Sequence, residues 1–174
     1  MYKKLLTEGS GDMSEILRKG KYTTVGPEDI WKVYNEIHGI FRGSGNTTTP
    51  KIDKMRPSDL TVVTNPETGE KMVIPDGTKG ISFADSIDSL ATKKVEGQVW
   101  IIPNGKKIPD GLVFNIKDID HPLLNVSEPI SEDSFRGLIA DLVKIMEPCG
   151  VKIAKGGKVV GQYLGSMPKV VNNG

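Results

Sequence analysis

The stretch Gly97–Ile116, GQVWIIPNGKKIPDGLVFNI, constrains the fold more than any other part of the chain. Val99, Trp100, Ile101 and Ile102 form a short apolar run closed by the breaker group Pro103-Asn104-Gly105. A second turn group, Pro109-Asp110-Gly111, leads into Leu112-Val113-Phe114. Short apolar runs bounded by Pro, Asn, Asp and Gly are strand signatures. Neither run alternates strictly, so each predicts a strand covered on both faces, in the middle of a sheet.

The rest of the chain predicts pieces added to this centre. Apolar runs bounded by turn residues predict strands near 40–42, 60–64, 71–75, 80–84, 98–103, 112–116 and 123–127. The segment from Gly26 to Gly39 predicts a helix over 27–38. Pro27 suits its first turn, and Ile30, Trp31, Val33, Tyr34 and Ile37 recur at helical spacing. Trp31 and Tyr34 are expected to pack in the core. A short helix follows Asp85, which is its expected cap. Ser131 caps the clearest helix, 132–146, with Phe135, Leu138, Ile139 and Leu142 on its buried face and Pro148 ending it. Val151 to Leu164 predicts a hairpin turning at Lys155-Gly156-Gly157, and the last residues, from Pro168, are expected to fray. Met13 to Lys19 predicts a short helix in an otherwise polar arm. The long polar loop from Ser44 to Asp59 predicts a functional lid or a disordered segment.

At 174 residues the chain has the length of one domain with room for a real core. The expected class is therefore a single α/β (α+β) domain. Its expected parts are an arm over 1–25, a core over 26–148 and a hairpin and tail over 149–174. Lys+Arg is 23 against Asp+Glu 22, which argues against a dedicated nucleic-acid-binding module. Two histidines and one cysteine are too few for a common structural zinc site, so no metal is expected. No apolar stretch approaches the ~20 residues of a membrane span. The N-terminus MYKKLLTEGSGD lacks the apolar segment of a secretory signal. The expected setting is cytoplasmic, with any export using no cleaved signal peptide.

Motifs that carry chemistry are few. There is no Walker loop and no Gly-x-Ser-x-Gly elbow. Gly43-Ser44-Gly45 is a lone two-glycine step. Cys149 and His121 make a conceivable nucleophile–base pair, but a thiol following a proline at a helix end is expected to be structural. Glu128, Glu132 and Asp133 gather near one strand–helix junction, where Glu132 and Asp133 complement the helix dipole.

Within Gly80 to Leu142 the chain nevertheless reads GISFADS, then VWIIPNGKKIPDGLVF, then His121, then NVSEPISEDSFRGLIADL, with the upstream element IFRG. In these motifs it resembles the small ADP-ribosyltransferase-like toxins delivered by type VI secretion, the family of type six secretion exported effector two. The family usually places an aromatic, Thr-containing strand after its histidine. Here Pro122-Leu123-Leu124-Asn125 follows instead.

The resemblance implies a split mixed β-sheet with flanking helices around an NAD-binding cleft. It implies a toxin that transfers ADP-ribose to a target in the recipient cell and is held inactive by a cognate immunity protein. In ADP-ribosyltransferases an Arg or His on the first strand holds the dinucleotide, a Ser on the next core strand props the site open, and a later Glu orients the ribose. Arg42 matches the first position and Ser82 the second. Glu128 stands for the third, with Glu132 as its alternate. Gly43, Phe83 and His121 join Arg42 and Ser82 as the implied cofactor-binding set. A guanidinium suits phosphate because its planar fork of donors matches phosphate oxygens. The alternative function is a toxin or binding module of the same fold that occludes a partner without NAD chemistry.

Overall fold

Gly97–Ile102 (β6) and Leu112–Ile116 (β7) are interior strands, as their unbroken apolar runs predict, but they lie in two different sheets. The structure is a computed structural model that describes residues 20–34, 39–52 and 56–161. In it β7 lies between Thr23–Val25 (β1) and Leu123–Val126 (β8), and Ile81–Ser82 (β5) pairs with the far side of β8. β6 lies between Ile40–Gly45 (β2) and Glu147–Ala154 (β10), and Lys158–Gly161 (β11) pairs with the outer side of β10. A third sheet holds Thr61–Thr64 (β3), Lys71–Ile74 (β4) and Ile130–Ser131 (β9). Every ladder is antiparallel. The class is mixed α and β in a single domain, with the strands split between sheets and few helices.

The two faces of β6 explain its sequence. Trp100 and Ile102 join one apolar cluster, with Phe83, Phe114, Leu124 and the helix residues Phe135, Ile139 and Leu142. Val99 and Ile101 join a second, with Phe41, Leu90, Cys149, Val151 and Ile153. A strand between two cores has no solvent face to mark with polar residues. Each such side chain contributes roughly 1.5–3 kcal/mol of burial.

Glu132–Ile145 (α3) covers the first cluster. Ser131 caps it as predicted, its Oγ accepting the Ser134 N–H at 3.1 Å. Pro148 does not end this helix: the helix stops at Ile145, and Pro148 pairs with Trp100 inside β10 beside a register shift. A proline is tolerated there because the missing N–H falls where the ladder is already broken. The expected boundary at 148/149 therefore cuts through a strand. The boundary at 25/26 likewise falls at the end of β1, which belongs to the sheet. The hairpin turns at Lys155–Gly157 as predicted.

The helix expected over 27–38 is a single turn, Ile30–Val33 (α1), and residues 35–38 lie outside the described residues. Tyr34 is buried and its hydroxyl donates to the Ile119 carbonyl at 2.6 Å. Trp31 packs partly buried, donating to the Lys106 carbonyl at 2.6 Å. The short helix Ile87–Thr92 (α2) is capped by Ser86 rather than Asp85, Ser86 Oγ accepting the Ser89 N–H at 3.0 Å. The expected helix over 13–19, residues 162–164 of the hairpin and the tail from Pro168 also lie outside the described residues. No helix among the described residues is long and apolar enough to cross a membrane.

Candidate active site

β2 and β5 belong to different sheets, and the chain around Phe41 meets the residues just after β5, with the Gly39 N–H donating to the Asp85 carbonyl at 3.0 Å. Phe41 and Ala84 exchange two backbone hydrogen bonds, at 2.7 and 2.8 Å. Beyond that bridge Ser82 pairs with Leu123 of β8, and among the described residues no further backbone bond joins β2 to β5. The two sheets part here, and Arg42 and Ser82 stand at the mouth of the gap.

Arg42 spans the opening. Its Nη1 donates to the Ser82 carbonyl at 2.6 Å, and its Nε donates to the Lys51 carbonyl at 2.8 Å. The guanidinium carries five N–H donors. Three of them have no partner among the described residues. The cation also stands 6.0 Å from the centre of the Phe83 ring. Burial lowers the Arg42 pKa and the nearby Arg56 adds to this, while Asp59 opposes both. A guanidinium remains protonated under such a pull.

Local backbone places this side chain. Arg42 pairs with Trp100 and Gly45 with Gln98, so three steps of β2 span two steps of β6. This bulge begins directly after Arg42 and puts Ser44 at φ 65. Positive φ costs a serine roughly 1–2 kcal/mol, and bulges re-aim the side chains beside them. Gly43 faces the end of α2 and the residues after it: a Cβ there would stand 3.3 Å from Leu90 Cδ2 and 2.8 Å from Val95 Cγ1. Gly80 lies against β8, where a Cβ would meet the Leu123 carbonyl carbon at 2.6 Å.

The turn before Gly80 is pinned from below. Asn115 on β7 donates to the carbonyls of Asp76 and Lys79, both at 2.8 Å. Asn125 on β8 donates to the same two carbonyls at 3.2 and 2.9 Å. Both asparagines are buried, at 2% and 0% exposure, and these bonds satisfy their amide N–H groups. They set the height at which Ser82 enters the site.

His121 completes the cluster. Its Nε2 lies 2.9 Å from Ser82 Oγ. Its loop is held by the His121 N–H on the Asp118 carbonyl at 3.0 Å and by the Phe83 N–H on the Pro122 carbonyl at 2.9 Å. Partial burial lowers the His121 pKa and Lys93 adds to this, against opposing pulls from Asp120 and Asp118.

Two cavities share Arg42 and Ser82 as their common wall. One, of about 270 Å³, is further lined by Ser44, Lys51, Arg56, Asp59 and Ile81, and is rich in cations. The other, of about 190 Å³, is bounded by Gly43, Phe83, Ala84, Leu90 and Val95, with Lys93 and His121 at its edge. Each alone is smaller than the usual small-molecule site.

Arg42, Gly43, Ser82, Phe83 and His121 are therefore gathered in one place. Glu128 is not. β8 carries the chain roughly 10 Å away from the Ser82–Leu123 pair before the exposed turn that holds Glu128. Glu132 opens α3 and pairs with Arg136 at 3.8 Å. The carboxylate on the cationic cavity is Asp59. Cys149 is also apart from His121: it is fully buried in the second cluster, and burial pushes its thiol up to about 12.

Lys51, Arg56 and Asp59 went unassigned by sequence reasoning. Their only signal was the unusual length of the loop that carries them. That loop is partly built structure. Asn46 Oδ1 accepts from Thr48 N, Thr48 Oγ1 and Thr49 N, each at 2.8 Å, which closes a turn at the start of the loop. Residues 53–55, within the expected lid, lie outside the described residues. Comparison with family models, curated proteins and solved structures finds no match.

Proposed function

We propose that this chain is an ADP-ribosyltransferase-like toxin whose cleft binds NAD between β2 and β5. The observation that carries the proposal is that Arg42 and Ser82 line both a cationic cavity and an apolar one, with His121 on the apolar one. A dinucleotide is built the same way, with a charged pyrophosphate beside flat rings. Arg42, Lys51 and Arg56 hold the pyrophosphate oxygens, and the Arg42 N–H groups without a partner among the described residues supply charge-assisted bonds. Phe83, Leu90 and Val95 receive a ring. NAD then serves as a substrate, giving up nicotinamide as ADP-ribose passes to an acceptor. Asp59, rather than Glu128, is the carboxylate on hand to orient a ribose hydroxyl or offset the developing positive charge.

The wider setting follows from the resemblance of GISFADS and the VWIIPNGKKIPDGLVF segment. In this proposal the toxin acts inside the recipient cell, is exported by type VI secretion, and is held in check by a cognate immunity protein covering Arg42 and Ser82. The competing proposal is a module of the same fold that occludes a partner without NAD chemistry. The position of Glu128, away from the cleft, favours it.

Incubation of the protein with labelled NAD and a cell extract separates the two. ADP-ribose transfer, or release of nicotinamide, supports the transferase. Growth arrest on expression without either product supports the occluding module.

A further inference from the structure

The contact between Ser82 Oγ and His121 Nε2, at 2.9 Å, has the geometry of a hydroxyl beside its base. We propose that Ser82 is a nucleophile, that His121 takes its proton, and that its target is an electrophile anchored by phosphate in the neighbouring cationic cavity.

Both partners are held. Ser82 is paired in register with Leu123 on one side and grips Arg42 through its carbonyl on the other. His121 sits two residues before Leu123, on a loop closed by the Asp118 and Pro122 carbonyls. In the tautomer with its proton on Nδ1, the imidazole accepts from the serine hydroxyl. The charged groups around the ring are Lys93 from the end of α2, Asp118 and Asp120 from its own loop, and Arg42 across the cavity from β2. Partial burial and Lys93 lower the ring's pKa against the pulls of Asp120 and Asp118, which favours the neutral form a base requires. The Arg42 cation on the Ser82 carbonyl favours negative charge building on the serine oxygen. This goes beyond a serine that merely props a cleft open.

With NAD as the electrophile the proposal rests on the function argued above. The Ser82 oxygen bonds to the anomeric carbon of the nicotinamide ribose. The carbon–nitrogen bond breaks, and its electron pair leaves with neutral nicotinamide. The serine proton passes to His121 Nε2. The product is ADP-ribosyl serine at position 82, and no oxidant or reductant is needed.

An alkyl fluorophosphonate tests the nucleophile without NAD. The serine oxygen bonds to phosphorus, fluoride leaves, and the proton again passes to His121. Mass spectrometry of the full chain is expected to find the label on Ser82. Its rate should fall about a hundredfold in His121→Gln and stay unchanged in Lys155→Ala. In the wild type the rate should rise with pH through a midpoint below the ordinary imidazole value. No label on Ser82, or a rate that His121→Gln leaves unchanged in folded protein, overturns the proposal. Adding NAD first separates the two readings. Slower labelling together with an ADP-ribosyl group on Ser82 supports both. Labelling that NAD leaves unchanged sinks the dinucleotide and leaves the nucleophile standing.

Discussion

Phe41 and Ala84 are joined by a pair of backbone hydrogen bonds, and one residue further along β2 Arg42 replaces that backbone contact with its side chain. The guanidinium thus stands where two sheets begin to separate. A cation in that position can hold the walls of an empty cleft and still offer donors to what enters it.

Removing the guanidinium should cost binding more than folding. A charge-assisted contact contributes ~1.5–3 kcal/mol, about tenfold or more in affinity. Arg42→Ala should therefore abolish or strongly weaken growth arrest while the purified protein keeps its circular dichroism spectrum. Ser82→Ala should weaken growth arrest less if Ser82 only contributes a neutral hydrogen bond, and as much as Arg42→Ala if it is the nucleophile. Lys155→Ala, in the hairpin turn, should leave growth arrest intact.

Glu128 provides a negative control that separates position from residue type. Glu128→Gln should leave NAD turnover unchanged, whereas Asp59→Asn should lower it. Steady-state nicotinamide release measures both. Loss of turnover in Glu128→Gln alone would return the carboxylate role to Glu128 and contradict the cleft geometry.

The two buried asparagines predict a shared stability effect. Asn115→Ala or Asn125→Ala weakens the hold on the Asp76 and Lys79 carbonyls, and each should cost roughly 1–3 kcal/mol in urea unfolding. Because both donate to the same two carbonyls, the double variant should differ from the sum of the singles. Faster amide exchange at Ile81 and Ser82 should accompany the loss.

Cys149 predicts a pH dependence. Its thiol is raised from about 9 to about 12 by burial, with Glu147 contributing. The unfolded chain therefore releases this proton first as pH rises. The Cys149 contribution is complete below about pH 9 and is lost as pH climbs toward 12. Burial raises the Tyr34 hydroxyl as well, and it adds with the same sign. Urea midpoints at pH 8 and pH 10.5 should show a drop that Cys149→Ala reduces. Iodoacetamide should leave native Cys149 unmodified at pH 8.

The interior strands were legible where several apolar residues ran together between breakers, as at Val99–Ile102 and Leu112–Phe114. β1 and β9 were not, because three and two residues carry no periodicity and their pairing partners lie far along the chain. Arg42, Ser82 and His121 were singled out through the resemblance, yet nothing in their spacing marks the 2.9 Å contact between Ser82 and His121. That contact arises because β5 and β8 pair in a register that brings residues 39 positions apart together. Glu128 lies apart from Arg42 and Ser82 for the converse reason. Nearness in sequence to a helix start says nothing about which end of β8 faces the cleft. Lys51, Arg56 and Asp59 sit in a loop without periodicity, where only the fold reveals a shared wall.

The central claim is that the gap spanned by Arg42 is a dinucleotide site. Isothermal titration of NAD into the purified full chain and into Arg42→Ala tests it most directly. The account predicts saturable binding to the wild type, weakened about tenfold or more in the variant while its thermal midpoint stays close to that of the wild type. No binding to the wild type, or equal binding to a folded Arg42→Ala, would contradict it.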